Sequence, residues 1–296
     1  MSNTISSELK LNVILDSALV ALKQALLPIR ALSNAFYDVP LKGTDKISVP
    51  YFPLETVASK DFNGTYTFEG STTDSREVTI NKRKYQPLAF TSAELARQPR
   101  LSPEMIGQMK GQKLAEDILA DILSVVTAAN YGSAIFTGAT SAFDSDDVID
   151  IKTALDVAKW PKSGRALILD SAYEGVLLKD NDIKSAYAVG TSSAVQQGIL
   201  PQIAGFDIRG TNLIPANGEN LKGMAIFPSA IIVGFSPIAP NMSNVEYQVV
   251  TDPETGLTLE YRKWEDPDTD THKSVIECNY GYAKGEAAAL KRIVSA

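Results

Sequence analysis

The chain has 296 residues, 44% of them hydrophobic and 21% charged, with a formal net charge of −7. That length supports a large core and about two domains, and the acidic balance argues against a dedicated nucleic-acid reader, which needs a basic footprint. A single cysteine, Cys278, and a single histidine, His272, exclude an intrachain disulfide, a cysteine zinc site and a multi-histidine metal site.

Residues 9–29 are apolar over a length that raises the question of a membrane span. Lys10, Asn12, Asp16 and Lys23 interrupt the run, each at a cost of roughly a few kcal/mol in a bilayer core. Glu8 stands where a secretory signal is positive. The stretch reads as a peripheral helix that starts near Ser6 or Ser7 and ends by Pro28. Pro40, Gly43, Pro50 and Pro53 make Phe36 to Pro53 extended. Helix and tether form an arm, lying either across another apolar surface or on its own domain.

Two strands are expected next, Thr65 to Glu69 and Arg76 to Tyr85, joined by the polar turn Gly70 to Ser75. Tyr66, Phe68, Val78 and Ile80 give this hairpin a thin apolar face, and Asn81, Lys82, Arg83 and Lys84 make its base cationic. Arms of about ten residues extend roughly 30 Å, and an isolated two-stranded hairpin is marginal in water. It is either an ordinary surface hairpin or one that leans on the next subunit of a polymer. Pro87 to Glu94 reads as a short strand.

The longest element expected is one helix from Ser102 to Asn130, about 40 Å at 1.5 Å per residue. Ser102 can cap it, Pro103 suits the first helical position, and Glu104 complements the dipole. Leu114, Ile118, Leu119, Ile122, Leu123, Val125 and Val126 recur at helical spacing, opposite Glu116, Asp117, Asp121 and Ser124. The first half is more polar, with Lys110, Lys113 and a G-x-x-x-G at Gly107 and Gly111 that invites a close neighbour. The apolar half is expected to pack on the C-terminal strands, and the glycine-bearing half to lie where a neighbouring subunit's loop can cross.

After a loop from Tyr131 to Ser145, a helix follows with Val148, Ile151 and Leu155 on one face and Asp144, Asp146 and Asp147 at its start. Arg165 to Asp170 reads as a strand, Ser171 to Lys179 as a helix, Asn181 to Gln197 as a loop, and Ile203 to Leu213 as a strand. Met224 to Phe235 reads as a strand pair or bulged strand broken at Pro228. Tyr247 to Thr251 and Leu257 to Trp264 are strands around a Pro253–Gly256 turn, and Ser274 to Ala283 is another.

The chemistry-bearing residues are sparse. Asp266, Asp268 and Asp270 alternate as calcium loops do, but the glycine and distal glutamate of an EF-hand are missing, so a solvated acidic turn is expected. Asp144, Asp146 and Asp147 suit a helix N-terminus better than a metal. Any Ser-His-Asp assignment depends on His272 alone, which lies beside that acidic turn, and Cys278 reads as a small buried filler. No Walker loop, nucleophile elbow or H-E-x-x-H occurs. No cofactor, metal or catalytic residue is expected, and an enzyme, for instance a hydrolase using His272, is the remote alternative.

The order of the pieces resembles the major capsid proteins of tailed bacteriophages, whose coat-protein fold is shared with encapsulins and the herpesvirus capsid floor. RALILDSAYEGVLLKD, GILPQIAGFDIRGTNLIP, MAIFPSAIIVGF, and VVTDPETGLTLEYRKW followed by NYGYAKGEAAALKRI carry the likeness. The resemblance implies an α+β fold in which residues 1–44 are an N-terminal arm and 45–87 an extended loop over a neighbouring subunit. Residues 88–145 and 241–296 would form a peripheral domain with the spine helix 102–130, and 146–240 an α/β axial domain around five- and sixfold axes. It implies a protein that self-assembles into the icosahedral shell enclosing double-stranded DNA, in the virion and, during assembly, in the host cytoplasm. The partners implied are many copies of the chain, as pentamers and hexamers, with scaffold, portal and decoration proteins and packaged DNA bound without sequence preference, and no membrane. Tyr66, Phe68, Arg76, Lys82, Arg83 and Lys84 are the expected inter-subunit contacts. An encapsulin-like nanocompartment is the alternative that keeps the fold.

Overall fold

The computed structural model describes residues 7–26, 46–51, 62–65, 74–91, 93, 103–181, 183, 202–238, 240, 244–252 and 256–296. Helix α1 spans Ser7–Ala25. Strands β1 (Lys46–Tyr51) and β2 (Asp74–Thr79) form an antiparallel pair, and β3 spans Lys82–Thr91. The spine helix α2 is Pro103–Leu123, and a single turn of helix, α3, follows at Ala128–Tyr131. Then come β4 (Phe136–Gly138), α4 (Ser145–Val157), β5 (Ala166–Leu169) and α5 (Ser171–Leu177). The remaining strands are β6 (Gln202–Ile203), β7 (Phe206–Gly210), β8 (Leu221–Ile226), β9 (Ile231–Phe235), β10 (Glu246–Thr251), β11 (Thr258–Asp266), β12 (Thr271–Lys284) and β13 (Leu290–Ser295).

Two larger sheets share one continuous core. The first runs β10-β11-β12-β3, and the far end of the long β12 also pairs with β9. The second runs β4-β13-β8-β5-β7-β6 and mixes parallel with antiparallel neighbours. Leu114, Ala115, Ile118, Leu119, Ile122 and Leu123 of α2 are buried in the same cluster as Leu259, Ile276, Cys278 and Tyr280 of the first sheet. The apolar half of the spine therefore joins the C-terminal strands, as its periodicity predicts.

The helix expected to reach Asn130 stops at Leu123 because other groups take its last carbonyls. The Asn217 side chain donates to Leu123 O at 3.1 Å and Val126 O at 2.8 Å, and Asn130 Nδ2 donates to Val125 O at 2.7 Å. The amides of Ser124, Val125 and Val126 tighten onto carbonyls three residues back. The proposed cap Ser102 lies outside the described residues, as does most of the expected strand Thr65 to Glu69. The partner of β2 is β1, with Lys46 opposite Thr79 and Tyr51 opposite Asp74. The strand expected from Arg76 to Tyr85 divides at Ile80–Asn81 into β2 and β3, and β3 absorbs the short strand placed after Pro87.

In the first half of the spine the glycine-bearing face turns inward, while Met105 and Met109 are exposed. A Cβ on Gly107 would stand 2.1 Å from Ser17 Oγ and 2.4 Å from Ile14 O, and one on Gly111 would stand 2.3 Å from Ala18 O. The neighbour that the G-x-x-x-G admits is α1 of the same chain, not another subunit's loop. Leu15, Ala18, Leu22 and Leu26 are buried against the core, and Lys23 Nζ meets Asp252 Oδ1 at 3.0 Å.

The sheets cut across the boundaries expected at 145 and 240. The C-terminal β13 and the early β4 join the second sheet, while β9, from within the expected axial segment, joins the first. Pro228 breaks Met224 to Phe235 between β8 and β9, and the two halves enter different sheets. The strand expected from Ile203 begins with a turn, because Ala204 and Gly205 both take positive φ, 51° and 87°. Local capping follows the sequence closely. Asp144 accepts from the amides of Asp146 and Asp147 at 3.1 Å, and Asp147 Oδ2 accepts from Asp144 N at 3.1 Å, a complete capping box on α4.

Candidate assembly surface

The β1–β2 pair is attached to the body through few groups. Ile47, Val78, Ile80 and Ile232 form a small buried cluster of their own, separate from the main core, with Ala283 packed against it. The other face of the pair is exposed at Lys46, Ser48, Glu77 and Thr79. Alternation of side chains along each strand places the apolar residues on one face.

Just beyond the pair, Lys82 is tied to the spine. Its Nζ donates to both oxygens of Asp121 at 2.9 Å and to Tyr282 Oη at 2.7 Å. Tyr280 Oη donates to Asp121 Oδ2 at 2.6 Å, and Ser124 Oγ lies 2.9 Å from Tyr282 Oη. Burial pushes the Asp121 carboxyl up, but donation from Tyr280, Lys82 and Tyr282 outweighs it and holds the group below the ordinary aspartate range. Burial likewise opposes the charge on Lys82, yet Tyr282 and Asp121 raise its ammonium above the usual lysine value. The cluster binds β3, β12 and α2 at one point.

The face of the first sheet away from the spine carries a second polar cluster. Glu260 is fully buried and accepts from Tyr247 Oη at 3.0 Å, Ile238 N at 3.0 Å, Arg262 Nη2 at 3.2 Å and the Asn279 amide. Arg262 also donates to Ile238 O at 2.6 Å, and its Nε approaches Glu277 Oε1 at 2.5 Å without the alignment of a hydrogen bond. Burial raises the Glu277 carboxyl, against the pull of Arg262 and Arg83. A cavity of about 400 Å³ opens here between Pro240, Val245, Arg262, Trp264, Val275 and Glu277. Two carboxylates and two guanidinium groups offset one another in this cluster, which leaves a structural role in joining β11, β12, β3 and the segment after β9.

Of the contact residues expected from sequence, Tyr66 and Phe68 lie outside the described residues. Arg76 is exposed on β2, and Lys84 is half-buried on β3. Lys82 and Arg83 are engaged within the subunit, Lys82 as above and Arg83 through Nε to Asn279 Oδ1 at 2.7 Å. Lys82 and Arg83 thus anchor the base of the hairpin. Sequence reading missed Asp121, Tyr280 and Tyr282 as its partners. It also missed the Glu260–Arg262–Glu277 cluster, although polar residues at alternate positions of Thr258 to Trp264 signal a strand with one charged face.

The remaining chemistry-bearing groups are absorbed by structure. His272 Nδ1 lies 3.1 Å from Glu265 Oε1, and Asp266 accepts Lys273 Nζ at 2.6 Å. Cys278 is fully buried, and burial pushes its thiol far above the usual range. Among the described residues no group of three or more His, Cys, Asp or Glu side chains is placed to hold a metal, and no helix is long and apolar enough to cross a membrane.

A family model described as phage capsid protein matches residues 65–293, and the chain belongs to that family. It is therefore a structural protein of a phage capsid. Its fold is similar to that of a capsid structure of the cyanophage P-SCSP1u, at 13% identity and TM-score 0.59, over 90% of this chain and 86% of that one. It is also similar to the mature capsid of bacteriophage PhiM1, at 10% identity and TM-score 0.60, over 88% and 85% of the two chains. A virus-like particle from Pyrococcus furiosus matches at 12% identity and TM-score 0.51, over 95% and 97%. At these identities the likeness concerns the fold. No curated protein sequence matches the chain.

Proposed function

We propose that the chain is the major capsid protein of a tailed bacteriophage, self-assembling through pentamers and hexamers into an icosahedral shell around double-stranded DNA. The observation that carries this reading is a fold shared over most of the chain with phage capsid proteins, covering 90% of this chain and 86% of the cyanophage one. The protein acts by assembly and not by catalysis. Its work is done in the virion, after assembly in the host cytoplasm, with scaffold, portal and decoration proteins as further partners.

Residues 45–87 form the loop that reaches a neighbouring subunit, with Tyr66, Phe68 and Arg76 as its contacts. The root of the hairpin buries only a small apolar cluster of its own, Ile47, Val78 and Ile80 with Ile232, which suits a segment whose further contacts come from a neighbouring copy. A net charge of −7 per copy suits containment of DNA without strong adhesion to it. The division into a peripheral part around α2 and an axial part around α4, α5 and the second sheet belongs to the same reading.

Negative-stain microscopy of the expressed protein, alone and with a co-expressed scaffold, tests it. Closed shells or capsomer rings are expected. Monodisperse monomers under every condition overturn the reading, and shells filled with an enzyme instead of nucleic acid replace it by a nanocompartment.

A further inference from the structure

The root of the hairpin rests on two glycines whose backbone does not require glycine. Gly234 in β9 and Gly281 in β12 lie directly opposite each other across the antiparallel pair, so both lack a side chain on the same face of the sheet. Neither takes a positive φ, and any residue fits that backbone conformation. What demands glycine here is space. A Cβ on Gly281 would stand 2.0 Å from Thr79 O, 2.7 Å from Thr79 C and 3.2 Å from Ile80 Cα. Those are backbone atoms and cannot rotate away. A Cβ on Gly234 would meet the side-chain ends of Ile80, Ile47 and Val78 at 3.3 to 3.6 Å. The segment seated in this notch is the link between β2 and β3, where the chain leaves the sheet to form the hairpin. Two residues further on, Lys82 is fastened to Asp121 and Tyr282.

We propose that the Gly234–Gly281 pair is the seat that sets the angle at which the extended hairpin leaves the subunit, and that this angle determines the geometry of the contact between copies. The notch fixes the height of Thr79–Ile80 over the sheet, the Ile47–Val78–Ile80–Ile232 cluster fixes its tilt, and Lys82 stops it from sliding along the spine. A methyl group at Gly281 lifts the crossing segment. Residues 52–73 connect β1 to β2, so a rise at the root is passed on to whatever that connection contacts. The displaced Ile80 belongs to the small root cluster and not to the main core, so the strain is expected to fall on the root. This inference rests on the assembly role of the hairpin proposed above.

The test compares wild type, Gly281→Ala, Gly234→Ala and Lys82→Gln by hydrogen exchange on dissociated subunits and by electron microscopy of assembled particles. Expected for Gly281→Ala are retained circular dichroism and cooperative melting, faster exchange across residues 76–82, and a shifted or broadened distribution of particle diameters or loss of closed shells. Gly234→Ala meets only side-chain ends, so a smaller shift in the same direction is expected and serves as the readout if Gly281→Ala does not fold. Lys82→Gln raises exchange in the same segment without adding bulk. Closed shells of wild-type diameter with wild-type exchange in both glycine variants overturn the inference. If wild type itself forms no shells, the assembly reading fails, while exchange at 76–82 in the variants still decides whether the seat exists.

Discussion

The inner half of the spine and the root of the hairpin are held by the same force in very different amounts. Leu114 to Leu123 sit in a cluster that draws on both large sheets and on α1. Among the described residues, Ile47, Val78 and Ile80 share a buried cluster with Ile232 alone. At about 25 cal/mol per Å² of buried apolar surface, the first arrangement supports a cooperative fold. The second fastens an appendage to that fold. The appendage is also located by two polar or steric devices, the Lys82–Asp121–Tyr282 cluster and the glycine notch, which specify position more than they add stability. On the proposed reading a shell subunit needs this division, with a body that folds before assembly and an arm whose contacts are completed on another copy.

The comparison can be broken most forcefully in the buried ionic cluster of the body. Arg262→Ala strands Glu260 and Glu277 in the sheet, and breaking a buried pair in this way costs about 3–5 kcal/mol, measured as a lowered urea midpoint of the dissociated subunit. Leu119→Ala, at a fully buried position of the spine, is expected to cost about 2–5 kcal/mol in the same measurement. Ile80→Ala removes a buried side chain of the root, yet a much smaller change in the global midpoint is expected, with the loss confined to amide protection of β1 and β2. Equal global losses for Leu119→Ala and Ile80→Ala would erase the distinction between the two regions.

Acid sharpens the comparison further. Asp121 has a depressed folded-state pKa, so its contribution is present above the ordinary aspartate value and is lost as pH falls through the depressed one. Lys82 has a raised one, so its contribution is present below the ordinary lysine value and is lost only as pH rises through the raised one. The tether is therefore intact at neutral pH and released by acid below the usual aspartate range. Hydrogen exchange at 76–82 should accelerate there in wild type but show no such acid step in Lys82→Gln. The smallest effect belongs to the exposed pair Lys46–Glu77, 2.6 Å apart. Lys46→Gln should leave thermal melting unchanged, because solvent screens the pair.

Much of this protein is legible locally. The spacing of Leu114 to Leu123 specifies an amphipathic helix, Asp144 with Asp147 specifies a helix start, and Pro228 specifies a break, since each acts within a few residues of itself. The end of the spine was not legible, because Asn217 arrives from a distant loop to take Leu123 O and Val126 O. Nor was the role of Lys82 and Arg83, where a run of charge reads as a free surface until Asp121, Tyr282 and Asn279 are brought against it.

The sequence by itself determined the class of elements, their order and the family likeness, because periodicity, capping and turn chemistry act over short separations. Only the tertiary structure decided that β2 pairs with β1, that β8 and β9 part into different sheets, that Gly107 and Gly111 admit α1, and that Gly234 and Gly281 admit Thr79–Ile80. Each of those outcomes depends on which distant backbone comes close, and close approach leaves no mark in a sequence beyond the side chain that is missing.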